Sequence, residues 1–93
     1  MSVTVLLPGA LAEIAGGSRR LHLDPAPADV GALLDALAAD HPLLVRRLRD
    51  ETGSLRRYVN IYVDGDDVRV RQGLRTPLRT GAEVHVLPSV AGG

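Results

Sequence analysis

Apolar and polar residues alternate in the first quarter of the chain in a way that predicts two β-strands. The first covers residues 2–7 (SVTVLL) and the second covers residues 19–23 (RRLHL). A loop with a short turn at Leu11–Ala15 connects them, and Gly16–Gly17–Ser18 is typical of a hairpin turn. The residues expected to face a core are Val3, Val5, Leu7, Leu21 and Leu23.

The spacing of apolar residues changes after Asp29 and predicts a helix from Val30 to Asp40. Asp29 stands where an N-cap should, and Pro42 follows the end of the pattern. A second, shorter helical turn is expected through Leu43–Leu48. The apolar stripe of the main helix consists of Val30, Leu33, Leu34, Leu37 and Ala38.

The second half of the chain predicts three further strands. Residues 58–63 (YVNIYV) alternate clearly, and Asp64–Gly65 is a strong signal for a tight turn. A returning strand is expected to place Val68 and Val70 inward and Arg69 and Arg71 outward. A loop with one helical turn, residues 73–78, precedes a last strand over residues 82–87. Its inward residues are Val84 and Val86, and its outward residues are Glu83, His85 and Leu87.

The predicted element order is therefore strand, strand, helix, strand, strand, strand. Each strand is apolar mainly on one face, so one amphipathic helix would cover one side of the sheet. The expected fold class is a small α+β roll that forms a single domain over residues 1–93. A chain of 93 residues buries about 60–65% of its unfolded surface, which suffices for one modest core.

The amino-acid composition argues against several classes of function. The chain is 45% hydrophobic and 24% charged, and its formal net charge of zero argues against general nucleic-acid binding. No apolar run approaches the roughly 18 residues of a membrane span, and the first residues do not resemble a secretory leader. The sequence predicts a cytoplasmic protein that binds neither membranes nor nucleic acids.

The residue types needed for catalysis or metal binding are absent or scattered. Cysteine is absent, which excludes disulfides and a thiol nucleophile. His22, His41 and His85 are widely spaced and are expected on the surface, not around a metal. Residues 64–67 (DGDD) lack the ligand ladder of a calcium loop and are interpreted as a hairpin turn. We expect no catalytic residue and no bound cofactor.

A basic cluster surrounds the acidic pair Asp50–Glu51. It consists of Arg46, Arg47, Arg49, Arg56 and Arg57. A solvated helix face explains such a cluster, and a surface for an acidic partner is the alternative.

The chain ends with residues 86–93, VLPSVAGG. Because proline cannot donate to a ladder, residues 89–93 are expected to leave the sheet as a flexible C-terminal arm. Five extended residues reach roughly 17 Å. Val90, Ala91 and Gly92 would keep this arm thin enough to thread into a narrow channel, and an idle stub is the alternative.

The element order and the terminal Gly92–Gly93 resemble the MoaD/ThiS family of ubiquitin-like sulfur carriers. Residues 59–63 (VNIYV) before an acidic turn, and residues 87–93 (LPSVAGG), are most similar to members that serve cysteine synthesis. The resemblance covers essentially the whole chain. It implies a β-grasp fold, with a mixed five-stranded sheet and one main helix on one face.

The resemblance also implies a chemistry and its partners. A ubiquitin-activating-type adenylyltransferase would adenylate the Gly93 carboxylate, and sulfide or a persulfide would convert it to a thiocarboxylate. The acceptor would be a PLP-dependent cysteine synthase, with a metalloprotease releasing cysteine. The small subunit of molybdopterin synthase is an alternative, as is a sulfur donor to thiazole synthase in thiamine biosynthesis or to natural-product biosynthesis. A ubiquitin-like protein modifier is an alternative of another class.

Four apolar residues are expected on the sheet face that the helix leaves open: Leu6, Tyr58, Tyr62 and Leu87. If their strands are neighbours, as the resemblance implies, they form an exposed patch near the root of the tail. We predict that this patch docks partner proteins. Scattered apolar surface residues, which are common, are the alternative.

Overall fold

A computed structural model describes residues 2–88 of the chain. Within this range the helices are α1 (Gly9–Ile14), α2 (Val30–Asp40) and α3 (Pro42–Leu48). The strands are β1 (Val3–Leu6), β2 (Arg20–Leu23), β3 (Val59–Val63), β4 (Asp66–Asp67) and β5 (Glu83–Pro88). Two 3-10 turns, Val68–Val70 and Gly73–Arg75, lie between β4 and β5.

The described strands form one five-stranded sheet in the order β2-β1-β5-β3-β4. The first and last strands, β1 and β5, are parallel neighbours at its centre, and the other pairs are antiparallel. The sheet is therefore mixed, as predicted, and β5 is a central strand. Asp64 and Gly65 both have positive φ, +50° and +91°, which confirms the tight turn expected between β3 and β4.

The core lies between one face of the sheet and the helices. Alternate residues of β1, β3 and β5 are buried together with the inner faces of α1, α2 and α3. Leu21 and Leu23 of β2 are partly buried against the same cluster. The predicted inward positions of these strands are confirmed. The largest fully buried side chains are Leu33, Leu34, Leu44, Leu48 and Ile61, together with seven valines.

The main helix has the bounds that the sequence predicts. The Asp29 carboxylate accepts a hydrogen bond of 2.8 Å from the backbone N–H of Ala32, as an N-cap does. Val30, Leu33, Leu34 and Leu37 are buried, whereas Ala38 is partly buried. Because Pro42 has no N–H to donate, it is suited to the first position of α3, and it starts that helix there.

The predicted returning strand after the Asp64–Gly65 turn is wrong for most of its length. The structure pairs only Asp66 and Asp67 with β3, and Val68–Val70 forms a 3-10 turn. The Asp67 carboxylate accepts a 2.8 Å hydrogen bond from the N–H of Arg69 and so caps this turn. Val68 is buried, but Val70 is 78% exposed, because alternation does not hold outside a strand.

Pro88 also differs from the prediction. It belongs to β5, opposite Val59, and does not end the pairing before it. The Asp64 N–H donates to the Glu83 carbonyl over 2.9 Å. In an antiparallel ladder, residue pairs that exchange backbone hydrogen bonds alternate with pairs that do not. Counted from the hydrogen-bonded pair Asp64–Glu83, the pair Val59–Pro88 is one of those without backbone hydrogen bonds. A proline there costs β3 no ladder hydrogen bond. The predicted arm, residues 89–93, lies outside the described residues.

Over residues 2–88, the structure contains no helix with the length and apolarity needed to cross a lipid bilayer.

Candidate functional site

The sheet face that points away from the helices, here called the outer face, carries the candidate docking residues. Leu6 of β1 and Tyr62 of β3 both pair with His85 of β5, so the three residues form one row across the sheet. Leu87 lies two residues further along β5 on the same face, opposite Asn60. Leu6 and Tyr62 are half-buried, and Leu87 is 44% exposed.

The structure therefore brings together three of the four predicted patch residues. Tyr58 precedes the first residue of β3, where strand alternation has not begun. It lies in a turn and lines a cleft with residues of α1 and α3, although it was expected beside Tyr62. Its side chain is 46% exposed.

Polar groups lie within and beside this row. Arg69 donates to the Asn60 side-chain oxygen over 3.0 Å and to the Arg56 carbonyl over 2.9 Å. His85 Nε2 lies 3.7 Å from the Glu83 carboxylate, with both side chains about half exposed to solvent. The outer face therefore carries apolar side chains on both sides of His85, with further hydrogen-bonding groups beside them, and protein interfaces commonly combine such groups.

Sequence reasoning did not assign His85, Asn60 and Arg69 to this site. Alternation alone places His85 and Asn60 on the outer face, so the signal for them was present. Their neighbours depend on strand order, which a single sequence does not give. Arg69 reaches Asn60 from the 3-10 turn, which the pattern did not predict.

One strand of the outer face, β5, leads to the end of the chain. Leu87 and Pro88 are the last two residues that the structure describes. The residues predicted to carry sulfur and to thread, Gly93 and Val90, Ala91 and Gly92, follow directly in the sequence and lie outside the described residues.

Shortly after the end of α3, the Asp50 carboxylate accepts hydrogen bonds within a surface turn. The hydroxyl of Thr52 donates a hydrogen bond to the Asp50 carboxylate, and the N–H groups of Thr52 and Ser54 also donate to it. These bonds, chiefly that of the hydroxyl, lower the pKa of Asp50 below its ordinary value of 3.8. Asp50 therefore stays ionised and stabilises a surface turn.

No grouping of His, Asp and Glu within residues 2–88 is compact enough to hold a metal ion. In the same range, every buried side-chain nitrogen and oxygen has a hydrogen-bond partner.

The sequence of this chain matches a known protein family and known relatives over most or all of its length. The sequence profile of the ThiS family matches residues 5–93. The chain is 41% identical over 96 residues to the sulfur carrier protein CysO of Mycobacterium tuberculosis, and the alignment covers all of both chains.

Two solved structures extend the likeness to three dimensions. A chain in the crystal structure of the Amycolatopsis orientalis BexX/CysO complex has a TM-score of 0.87 and 34% identity, with 98% of this chain and 99% of that chain covered. Small archaeal modifier protein 1 of Haloferax volcanii has a TM-score of 0.83 and 34% identity, covering all of both chains.

The sheet order and these likenesses define a ubiquitin-like β-grasp protein, which confirms the predicted fold. The chain belongs to the ThiS family. It is a homologue of small sulfur carrier proteins and is similar over its full length to CysO.

Proposed function

We propose that this protein carries sulfur as a thiocarboxylate on Gly93 and donates it for cysteine biosynthesis. The observation that carries the proposal is the full-length 41% identity to the sulfur carrier protein CysO. The terminal Gly92–Gly93 pair also supports it. The chain has no cysteine and therefore no thiol that could hold sulfur, so the Gly93 carboxylate would have to carry it.

A carboxylate must be activated before it can accept sulfur, since its negative charge resists nucleophilic attack. In the proposed first step, an oxygen of the Gly93 carboxylate attacks the α-phosphorus of ATP and pyrophosphate leaves. Sulfide then attacks the acyl carbon, and AMP departs with the bridging oxygen. The product is a thiocarboxylate, a good nucleophile near neutral pH. An adenylyltransferase of the ubiquitin-activating type would catalyse both steps.

The rest of the chain would present the terminus to its partners. Ala91 and Gly92 are small enough, and Val90 compact enough, to enter a channel that rejects larger side chains. We propose that the outer face, through Leu6, Tyr62 and Leu87, docks the activating enzyme and the sulfur acceptor. The partial exposure of the three side chains supports this proposal, as does the position of Leu87 on β5, the strand that leads to residue 93. Tyr58, in its separate cleft, would contribute from the side.

The experiment that tests the function is intact-mass analysis after incubation with the activating enzyme, ATP and sulfide. The chain should gain the mass difference between sulfur and oxygen. Purified thiocarboxylate is then offered to a PLP-dependent cysteine synthase with an activated serine, or to the large subunit of molybdopterin synthase or a thiazole synthase. Formation of a cysteine adduct at the chain terminus with only the first acceptor supports cysteine biosynthesis, and transfer only to another acceptor contradicts it.

A protein-modifier function is the second candidate, favoured by the 34% identity to small archaeal modifier protein 1. Gly93 would then form isopeptide bonds with lysines of other proteins. The chain itself contains no lysine, so it could not form self-chains through side chains. Covalent conjugates that depend on Gly93 and appear in cells during growth would favour this function over sulfur donation.

A further inference from the structure

An open cleft of about 660 Å³ lies where α1 and α3 approach the start of β3. Its lining is both cationic and apolar, and it is separate from the outer-face row of Leu6, His85 and Tyr62. The residues that line it are Glu13, Ile14, Leu43, Arg46, Arg47, Arg56 and Tyr58.

Positive charge dominates this cleft, because three guanidinium groups face one carboxylate. Arg49, which directly follows α3, already has partners within the chain. It donates to the Asp35 carboxylate over 2.7 Å and to the Gly53 carbonyl over 2.7 Å. By contrast, Arg46 and Arg47 are exposed, and no described carboxylate lies within ion-pair distance of either side chain. Their charges are therefore available to an external anion.

The cleft is also held in shape before any partner binds. Arg56 donates from Nε to the Arg46 carbonyl over 3.0 Å, and its backbone N–H donates to the Leu48 carbonyl over 2.8 Å. Arg69 donates to the Arg56 and Arg57 carbonyls from the other side. A wall fixed in this way loses little conformational entropy on binding.

Two large apolar side chains beside these arginines remain exposed to solvent. Leu43 is 62% exposed and Tyr58 is 46% exposed. Tyrosine and arginine are among the residues enriched at the positions that contribute most binding energy in protein interfaces. The guanidinium group of one arginine is also suited to a carboxylate, to which it can donate two parallel hydrogen bonds.

The cleft is near the end of the described chain. Tyr58 immediately precedes Val59, which pairs with Pro88, the last described residue. An enzyme that works on the residues following Pro88 would therefore pass close to the cleft.

We propose that this cleft is a second docking site, which receives an acidic segment with at least one apolar side chain on the adenylyltransferase that acts at Gly93. The inference rests on the proposed function for the identity of the partner. Arg47 is the main anion-binding residue of the cleft. Arg46 and Arg56 also line a neighbouring depression that contains Asp50 and Glu51, whereas Arg47 does not line it. Arg47 binds a partner carboxylate, while Leu43 and Tyr58 cover the partner's apolar side chain.

The test compares Arg47→Glu with Arg75→Glu, which makes the same charge change at another exposed arginine outside the cleft. Affinity for the purified adenylyltransferase is measured by calorimetry without ATP, at low and high ionic strength. We expect Arg47→Glu to weaken binding at least about tenfold and to reduce its salt dependence, whereas Arg75→Glu changes it less than about twofold. Thermal melting should be unchanged in both variants, because neither side chain has a described ion-pair partner.

The outcomes separate this inference from the proposed function. If the wild-type chain gains sulfur but Arg47→Glu binds like Arg75→Glu, the cleft inference fails and the carrier function stands. If the wild-type chain neither binds the enzyme nor gains sulfur, both fail. Binding of a single-stranded oligonucleotide that is lost in Arg47→Glu would assign the cleft to nucleic acid and overturn the proposal of a protein partner.

Discussion

At the scale of single residues, short carboxylate side chains fix where local structures begin. Asp29 starts α2, Asp67 starts the Val68–Val70 turn, and Asp50 closes the turn after α3. Each accepts a backbone N–H that would otherwise have no partner in its own segment. These interactions are local in sequence. For that reason Asp29 could be recognised from the pattern alone.

Replacing the N-cap tests this directly. We expect Asp29→Ala to lower the free energy of unfolding by about 1 kcal/mol, because the N–H of Ala32 loses its acceptor. Asp40→Ala, at the other end of α2, is the control and should have little effect, since a carboxylate there gains nothing from the helix dipole. Urea denaturation measures both values. Equal losses in the two variants would show that the cap does not act as described.

The titration of Asp50 gives a pH-dependent prediction. Because the pKa of Asp50 is lower in the folded chain than its ordinary value of 3.8, its stabilising effect is complete above that pH and disappears as pH falls through the folded value. Thr52→Ala should raise this pKa toward 3.8, since it removes the hydroxyl donor. NMR titration of the Asp50 carboxyl carbon measures the change, with Thr80→Ala as control. A pKa that does not move in Thr52→Ala would refute the assigned cause.

At the scale of elements, the period of the apolar residues decided what could be predicted. The period of α2 and the alternation of β1, β3 and β5 gave the right faces, because burial on one side of a sheet enforces alternation. Val70 and Tyr58 were placed wrongly for the same reason: each lies just outside a strand, where alternation no longer applies. The pairing of β1 with β5 joins the two ends of the chain, and no local signal encodes it.

Two valines provide a matched test of the elements. Val84 in β5 is fully buried, whereas Val70 in the 3-10 turn is 78% exposed. We expect Val84→Ala to lower the free energy of unfolding by roughly 2–3 kcal/mol through lost burial and a residual cavity. Val70→Ala should change it by less than about 0.5 kcal/mol. A large decrease in the free energy of unfolding of Val70→Ala would contradict the 3-10 turn and favour the returning strand that the sequence predicts.

The outer face is tested as an element by charge insertion. The double variant Leu6→Arg with Leu87→Arg should block adenylation of Gly93, because two charged side chains would have to be desolvated against the activating enzyme. Its melting temperature should stay close to that of the wild type, since both side chains are at least partly exposed. Val70→Arg is the control for an added charge elsewhere. Adenylation at the rate of the control would remove the outer face from the proposed function.

At the scale of the whole molecule, the described residues form one aliphatic core between the sheet and the helices. Among these residues every buried side-chain nitrogen and oxygen has a hydrogen-bond partner. Exposed apolar side chains lie on the outer face and in the cleft between α1 and α3, where arginines accompany them, and Val70 is exposed elsewhere. The sequence indicated the terminal glycine pair and part of the outer face. It also indicated the arginines of the cleft as a basic cluster, but it could not place Leu43 and Tyr58 beside them, because only tertiary packing brings these residues to one cleft.

The most direct test of the account is to locate the transferred sulfur within the chain. After incubation with the activating enzyme, ATP and sulfide, tandem mass spectrometry should place one additional sulfur on Gly93. A variant extended by a single residue after Gly93 should gain none while melting normally. Sulfur found on any other residue, or an unchanged mass of the wild-type chain in the presence of an active enzyme, would contradict the central claim.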